Sequence, residues 1–161
     1  MTIGPDEESC GDAPRHAKRL GREVAMQYLF GCELRGEVPG AASFEEIFPV
    51  LVESLGITEA RMVRKCREYA IKLYTAVALH EDEINKVISE RCEHWSMERL
   101  SAVDRNIMRV AIAEMLHFDS VPRVVSIDEA VEIARDYSGE NAGNFINGVL
   151  NAIKNGLTEK R

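Results

Sequence analysis

No stretch of this sequence approaches the roughly 20 consecutive apolar residues needed to cross a bilayer, so no membrane span is expected. Its first residues, MTIGPDEESCGDAP, lack both the basic start and the apolar centre of a secretory leader, which points to the cytoplasm. The four cysteines, Cys10, Cys32, Cys66 and Cys92, include no C-x-x-C pair. In a reducing compartment they read as free thiols, three of them packed inside helices. Alternation of apolar and polar residues at period two is missing over any useful length, so no strand is expected and the fold should be all-α.

Catalytic and metal-binding patterns are also missing. There is no G-x-S-x-G, H-E-x-x-H or phosphate-loop pattern, and no nucleophile stands beside an evident base, so no enzyme is expected. Cys92 and His94 are two apart, and His80 precedes Glu81, Asp82 and Glu83. Neither group supplies four ligands, and on a helix residues two apart point in different directions, so neither a metal nor another cofactor is expected. His117, at the end of an apolar helix, reads as a packing or capping residue.

What is present is a chain of 161 residues, 45% hydrophobic and 29% charged, which suits one domain with a proper core. Helical spacing recurs throughout. Arg15 to about Leu34 form a first helix, with residues 1–14 as a disordered acidic tail. Gly36 to Gly40, with Pro39, break it. Ser43 could cap a short helix whose Phe44, Ile47, Leu51 and Leu55 face inward, with Pro49 as an awkward interior residue. A long helix starts at Thr58-Glu59 and runs toward Leu79 through Met62, Cys66, Tyr69, Leu73 and Val77. Another covers Glu81 to Cys92, packed through Ile84, Val87 and Ile88. From about Met97 a helix carrying Leu100, Val103, Ile107, Met108, Val110, Ala111, Ile112 and Met115 is apolar on most sides, which places it in the middle of the fold. Val121-Pro122 ends the connection that follows.

The net charge of −7 argues at first against a polyanionic partner, but its distribution matters more than its sum. Asp6, Glu7, Glu8 and Asp12 fall in the tail, whereas Arg15, His16, Lys18, Arg19 and Arg22 concentrate positive charge at the start of the first helix. Positions 15, 18, 19 and 22 share a helical face at intervals suited to tracking phosphates. A solvated helix end is the plainer reading. Against it, cations at a helix N-terminus oppose the macrodipole by roughly 0.3–1 kcal/mol per charge, so stability alone would not select them. Asp104, Arg105 and Arg109 interrupt the apolar helix and must meet something: either an ion pair with a neighbouring helix or a docking partner.

The most informative segment is VVSIDEAVEIARDYSGENAGNFINGVLNAI, from Val124 to Ile153. Ser126 and Glu129 have the spacing of a capping box, which predicts a helix start at Ser126. Ile127, Ala130, Val131, Ala134 and Tyr137 form one stripe, ending at Ser138-Gly139. A second stripe, Phe145, Val149 and Ile153, begins another helix, with Glu140, Asn141 and Asn144 at its polar front. Phe145 could stack on an unpaired base while nearby amides read its edge, or it could be buried. Asn147-Gly148 suits close helix packing.

IDEAVEIA, a glycine-containing break and NFINGVLN, together with WSMERLSAVDRNIMRVAIAEML (Trp95 to Leu116) and REVAMQYLF (Arg22 to Phe30), closely resemble the NusB family of bacterial transcription antitermination factors. The resemblance covers roughly Arg15 to Ile153. It implies a single helical domain over residues 15–156 of about seven helices, two small subdomains joined through the central apolar helix, followed by a short tail at 157–161. It also implies a non-catalytic role: binding boxA-type single-stranded RNA and the ribosomal protein NusE, and tethering that RNA to RNA polymerase during ribosomal RNA transcription. The RNA contacts so implied are Arg15, Lys18, Arg19, Arg22, Asn141, Asn144 and Phe145. The NusE contacts are Phe30, Glu98 and Asp104, although Phe30 could equally be core. The acidic N-terminal extension, His16, Leu20 and the negative net charge depart from the family pattern. Two rivals stand beside this reading. One is a protein-only helical adaptor or homodimer without RNA binding. The other is the related RNA-binding module of ribosomal RNA methyltransferases, which requires a methyl-donor domain, and the sequence ends at Arg161 without one.

Overall fold

The computed structural model describes residues 6–92 and 100–158, with side chains from His16 onward. The described residues contain seven helices and no strand: α1 (Asp6–Arg35), α2 (Ala41–Ser54), α3 (Ala60–Leu79), α4 (Glu81–Arg91), α5 (Ala102–His117), α6 (Arg123–Ser138) and α7 (Glu140–Asn155). The expected all-α architecture is present. α5 is the hub because nine of its residues, including Ile107, Met108, Val110, Ala111, Ile112 and Met115, are buried. It packs against α1, α3, α4, α6 and α7. α1 to α3 form one group of helices and α4 to α7 the other, joined where α1 and α3 meet α5.

In the first group, α1 and α3 approach so closely that a Cβ added at Gly21 would lie 2.9 Å from Tyr69 Cβ. α2 is held by aromatic packing, with Tyr28, Phe44, Phe48 and Tyr74 at centroid separations of 4.9–5.4 Å. The Tyr28 hydroxyl also donates to the Gly40 carbonyl at 2.9 Å. The inward row of α2 is Phe44, Phe48 and Val52, while Ile47, Leu51 and Leu55 are only partly buried. This row carries the helix through Pro49, whose missing N–H removes one internal bond. In the second group, Gly139 turns α6 into α7 at φ +99°, a left-handed setting that favours glycine.

Several boundaries differ from expectation. α1 starts at Asp6, ahead of Arg15, and α6 starts at Arg123 with Pro122 before it. Ser126 therefore lies inside α6 and is no cap. It is 1% exposed and donates from Oγ to Glu114 Oε1 at 2.6 Å, while Glu129 pairs with Arg19. A cap does occur at Ser101, whose Oγ accepts the Asp104 N–H at 3.1 Å and opens α5. Cys32, Cys66 and Cys92 are free and buried, and burial pushes the Cys66 thiol up to about 12, so it stays protonated.

Glu114, on α5, is the most consequential buried polar residue, at 1% exposure. Arg22 of α1 donates from Nε to both of its oxygens, at 3.1 and 2.9 Å, and Ser126 of α6 and the Tyr69 hydroxyl of α3 complete the set. Burial, and then the Glu114 charge, push the Tyr69 phenol above its ordinary value, so it remains a donor. The Arg22 guanidinium also lies 5.6 Å from the Tyr69 ring centroid. Removing one member of a buried ion pair leaves the other charged and unsatisfied, so Glu114→Gln is expected to cost about 3–5 kcal/mol in urea unfolding. A loss under about 1 kcal/mol would show that the pair does not hold the helices together. Gly21→Ala should also destabilise: an intrahelical gain of about 1 kcal/mol is outweighed by overpacking of about 1–3 kcal/mol against Tyr69. A raised melting temperature for that variant would contradict the close α1–α3 contact.

Candidate functional site

Four cations were expected to project together from α1, and the structure separates the three whose side chains are described, Lys18, Arg19 and Arg22. Arg22 points inward and is 4% exposed, so its place is in the core pair with Glu114 rather than in an outward row. Lys18 is half-buried, its Nζ 5.7 Å from the Tyr69 ring centroid. Arg19 turns toward α6 and meets Glu129 and Glu132 at 2.8 and 2.7 Å, Asp136 at 3.5 Å, and Glu23 on its own helix at 3.6 Å. Burial draws its pKa down, but the hydrogen bonds to Glu132 and Glu129 outweigh this and leave the guanidinium above its ordinary value. Burial also raises the Glu23 carboxyl, with Arg19 partly opposing. The side chain of Arg15 lies outside the described residues. The reason for the departure is that α1 is wedged between α3, α5 and α6, so a spacing that looks like one face in isolation is divided among neighbours.

The front of α7 behaves differently. Asn141 and Asn144 are exposed, and Phe145 is half-buried with one side against the core. α7 has no side-chain cap, so its first-turn N–H groups, which lack intrahelical acceptors in any helix, are not satisfied by a capping residue. Arg135 of α6 fixes this end: its Nε pairs with Glu140 at 3.2 Å, and its stem packs so tightly on Gly143 that an added Cβ would lie 2.7 Å from Cγ. α6 is thus the shared neighbour of the two candidate RNA elements. It meets Arg19 of α1 through Glu129, Glu132 and Asp136, Gln27 of α1 through Tyr137, and α7 through Arg135.

The expected partner residues lie elsewhere. Phe30 is half-buried near the end of α1. Asp104 is in the first turn of α5, and its Oδ1 is buried with no hydrogen-bond partner among the described residues. Glu98 falls outside the described residues. For the two arginines beside Asp104 the internal pair is the observed outcome. Arg105 and Arg109 reach Glu33 Oε1 of α1 at 2.8 and 3.4 Å, and buried Asn106 donates to Glu33 Oε2 at 2.8 Å. Arg109 also donates to Asn85 of α4. The carboxylates that organise these cations, Glu33, Glu114, Glu129, Glu132 and Asp136, were not singled out for this role from sequence. Only a pairing between distant helices reveals it.

Charges along α1 are thus tied inward, while polar side chains front α7. A model described as the NusB family matches residues 19–155, and the chain belongs to that family. The chain is 36% identical over 141 residues to transcription antitermination protein NusB of Desulfosudis oleivorans, covering 88% of this chain and 87% of that one. It is 35% identical over 144 residues to the protein of that name from Koribacter versatilis, covering 89% and 92%. Among solved structures it is similar to T. maritima NusB, with a TM-score of 0.70 and 31% identity over 89% of this chain and 94% of that one. It is also similar to a chain in the crystal structure of antitermination factors NusB and NusE in complex with dsRNA, with a TM-score of 0.71 and 30% identity, covering 88% and 98%. No helix of the described residues is long and apolar enough to cross a membrane.

The Glu33 cluster has a pH signature. Burial alone would raise the Glu33 carboxyl, but hydrogen bonds from Arg105 and Asn106 and the charges of Arg105 and Arg109 hold it below its ordinary 4.5. A carboxyl with a depressed folded pKa adds stability above its unfolded value and loses it as pH falls through the folded one. Glu33→Gln should therefore cost on the order of 1.5–3 kcal/mol at neutral pH. The deficit should shrink as pH drops below about 4.5, read from denaturation midpoints across pH. A deficit independent of pH would mean the carboxylate charge is irrelevant.

Proposed function

We propose that this chain is a transcription antitermination factor that acts in the cytoplasm without catalysis, binding a boxA-type single-stranded RNA together with NusE and tethering it to RNA polymerase during ribosomal RNA transcription. The observation that carries the reading is family membership across the helical domain, combined with the start of α7, where Asn141 and Asn144 are exposed beside half-buried Phe145. An aromatic face next to amide donors suits a splayed base, because stacking accepts any base and the amides read its edge. Phosphate contacts fall to Arg15, Lys18 and Arg19. Arg22 serves them from below, by fixing the rotation of α1, and does not touch RNA. Phe30, Glu98 and Asp104 form the NusE face.

Arg19 cannot bind a phosphate without giving up carboxylates, so its interaction with RNA is an exchange of anions. With about three phosphates contacted, a single strand should lose affinity roughly twentyfold between 50 and 200 mM salt. Titration of labelled boxA-like RNA, with scrambled RNA as control and with or without NusE, measures this. Arg19→Glu should weaken binding further and Phe145→Ala should remove the preference over scrambled RNA. Glu132→Gln, which removes one of the four carboxylates around Arg19, should tighten binding. Salt-insensitive binding, or equal affinity for the scrambled strand, would contradict the RNA role. NusE binding that persists in that case would leave a protein-only adaptor.

A further inference from the structure

We propose that His80, Glu83 and His117 form a site for a divalent transition-metal ion of the zinc type, held by two imidazole nitrogens and one carboxylate oxygen with the remaining position open to water. The three residues come from separate elements. His80 is the single residue between α3 and α4, Glu83 lies in the first turn of α4, and His117 ends α5. Sequence spacing pointed away from a site because His117 is remote from the other two in the chain. Folding of α5 against α4 brings it back.

The geometry suits a small tetrahedral ion. His80 Nδ1 lies 3.6 Å and His117 Nε2 3.7 Å from the same atom, Glu83 Oε2, and the ligand atoms all fall within 4.8 Å of one another. Ligands bonded to zinc at about 2.1 Å in a tetrahedron are about 3.4 Å apart, so the two histidine–carboxylate pairs need only tenths of an ångström of adjustment, while the two imidazole nitrogens, within 4.8 Å of each other, must draw together. The imidazole rings are stacked at 3.7 Å and 14°, so binding one ion requires a ring to swing out of the stack until both in-plane lone pairs point at it. Glu81 and Asp82 in the same turn add negative charge that favours a cation over the positive end of α4. Two imidazoles and a carboxylate select zinc and its neighbours over magnesium and calcium, which prefer oxygen shells. The ion would pin the α3–α4 joint to the end of α5.

The test is titration of the full chain with zinc and with cobalt under reducing conditions, magnesium and calcium serving as controls. One equivalent should bind and raise the melting temperature. His117→Gln and His80→Gln should each weaken binding by at least about tenfold. The metal-free variants should keep the wild-type helical spectrum and melting temperature, which separates ligand loss from misfolding. His16→Gln and His94→Gln should bind as wild type. The cobalt complex should lack thiolate charge-transfer bands. Binding unaffected by His80→Gln and His117→Gln, binding through thiolates, or no saturable binding of zinc would each overturn the proposal.

Discussion

The structure depends on one buried carboxylate. Glu114 lies in the last turn of α5 and is satisfied by Arg22, Tyr69 and Ser126, one donor from each of α1, α3 and α6. An apolar residue of similar volume could give comparable stability, since desolvating an ion pair consumes much of its Coulombic gain. What an apolar residue would not give is direction. Donors from three helices must converge on two oxygens, and that fixes the rotation of α1 about its own axis. Once Arg22 points inward, Arg19 lies one turn earlier toward α6, and Lys18 lies beside the Tyr69 ring. The distribution of charge on α1 follows from this core contact.

That distribution changes how the net charge is read. Arg19 alone faces Glu23, Glu129, Glu132 and Asp136, so four carboxylates surround one guanidinium. The side chains of α1 described here therefore offer no exposed row of cations. The contacts of Arg19 to exposed Glu132 and Asp136 are worth little in water, because solvent screens them and long side chains lose freedom when fixed. On the reading proposed above, they are weak enough to yield to a phosphate. On the proposed reading, specificity then rests on α7 more than on α1, since exchanging one anion for another adds little net attraction.

The helical pattern was legible because long periodic stripes are unambiguous. The rows through Cys66, Tyr69, Leu73 and Val77 in α3, and through Ile84 and Ile88 in α4, are buried as their spacing implies. The central position of α5 followed from its having few polar sides. Short polar motifs misled, because local spacing does not reveal which tertiary partner competes for a group. Ser126 and Glu129 have the spacing of a capping box, yet each bonds across a helix interface, to Glu114 and to Arg19. Arg22 shares a nominal face with Arg19 but is claimed by α5. The His80–Glu83–His117 grouping was invisible for the same reason: its members converge only after α5 has packed on α4.

Two polar clusters tie α1 to α5 in antiparallel register: Arg22 with Glu114 at one end, and Glu33 with Arg105 and Arg109 at the other. From position 22 to 33 the helix covers about 16 Å at about 1.5 Å per residue. This exceeds the roughly 8 Å over which physiological salt screens exposed charge, so the two ends do not influence each other through solvent. Nor can the helix slide, because both anchor points would have to break together and leave charges buried. On the reading proposed above, two such anchors give α1 and α5 no sliding motion by which binding at Phe30 and Asp104 would be relayed to Arg19. On that reading, a gain in RNA binding from NusE comes from the two ligands touching each other or sharing a surface on this scaffold.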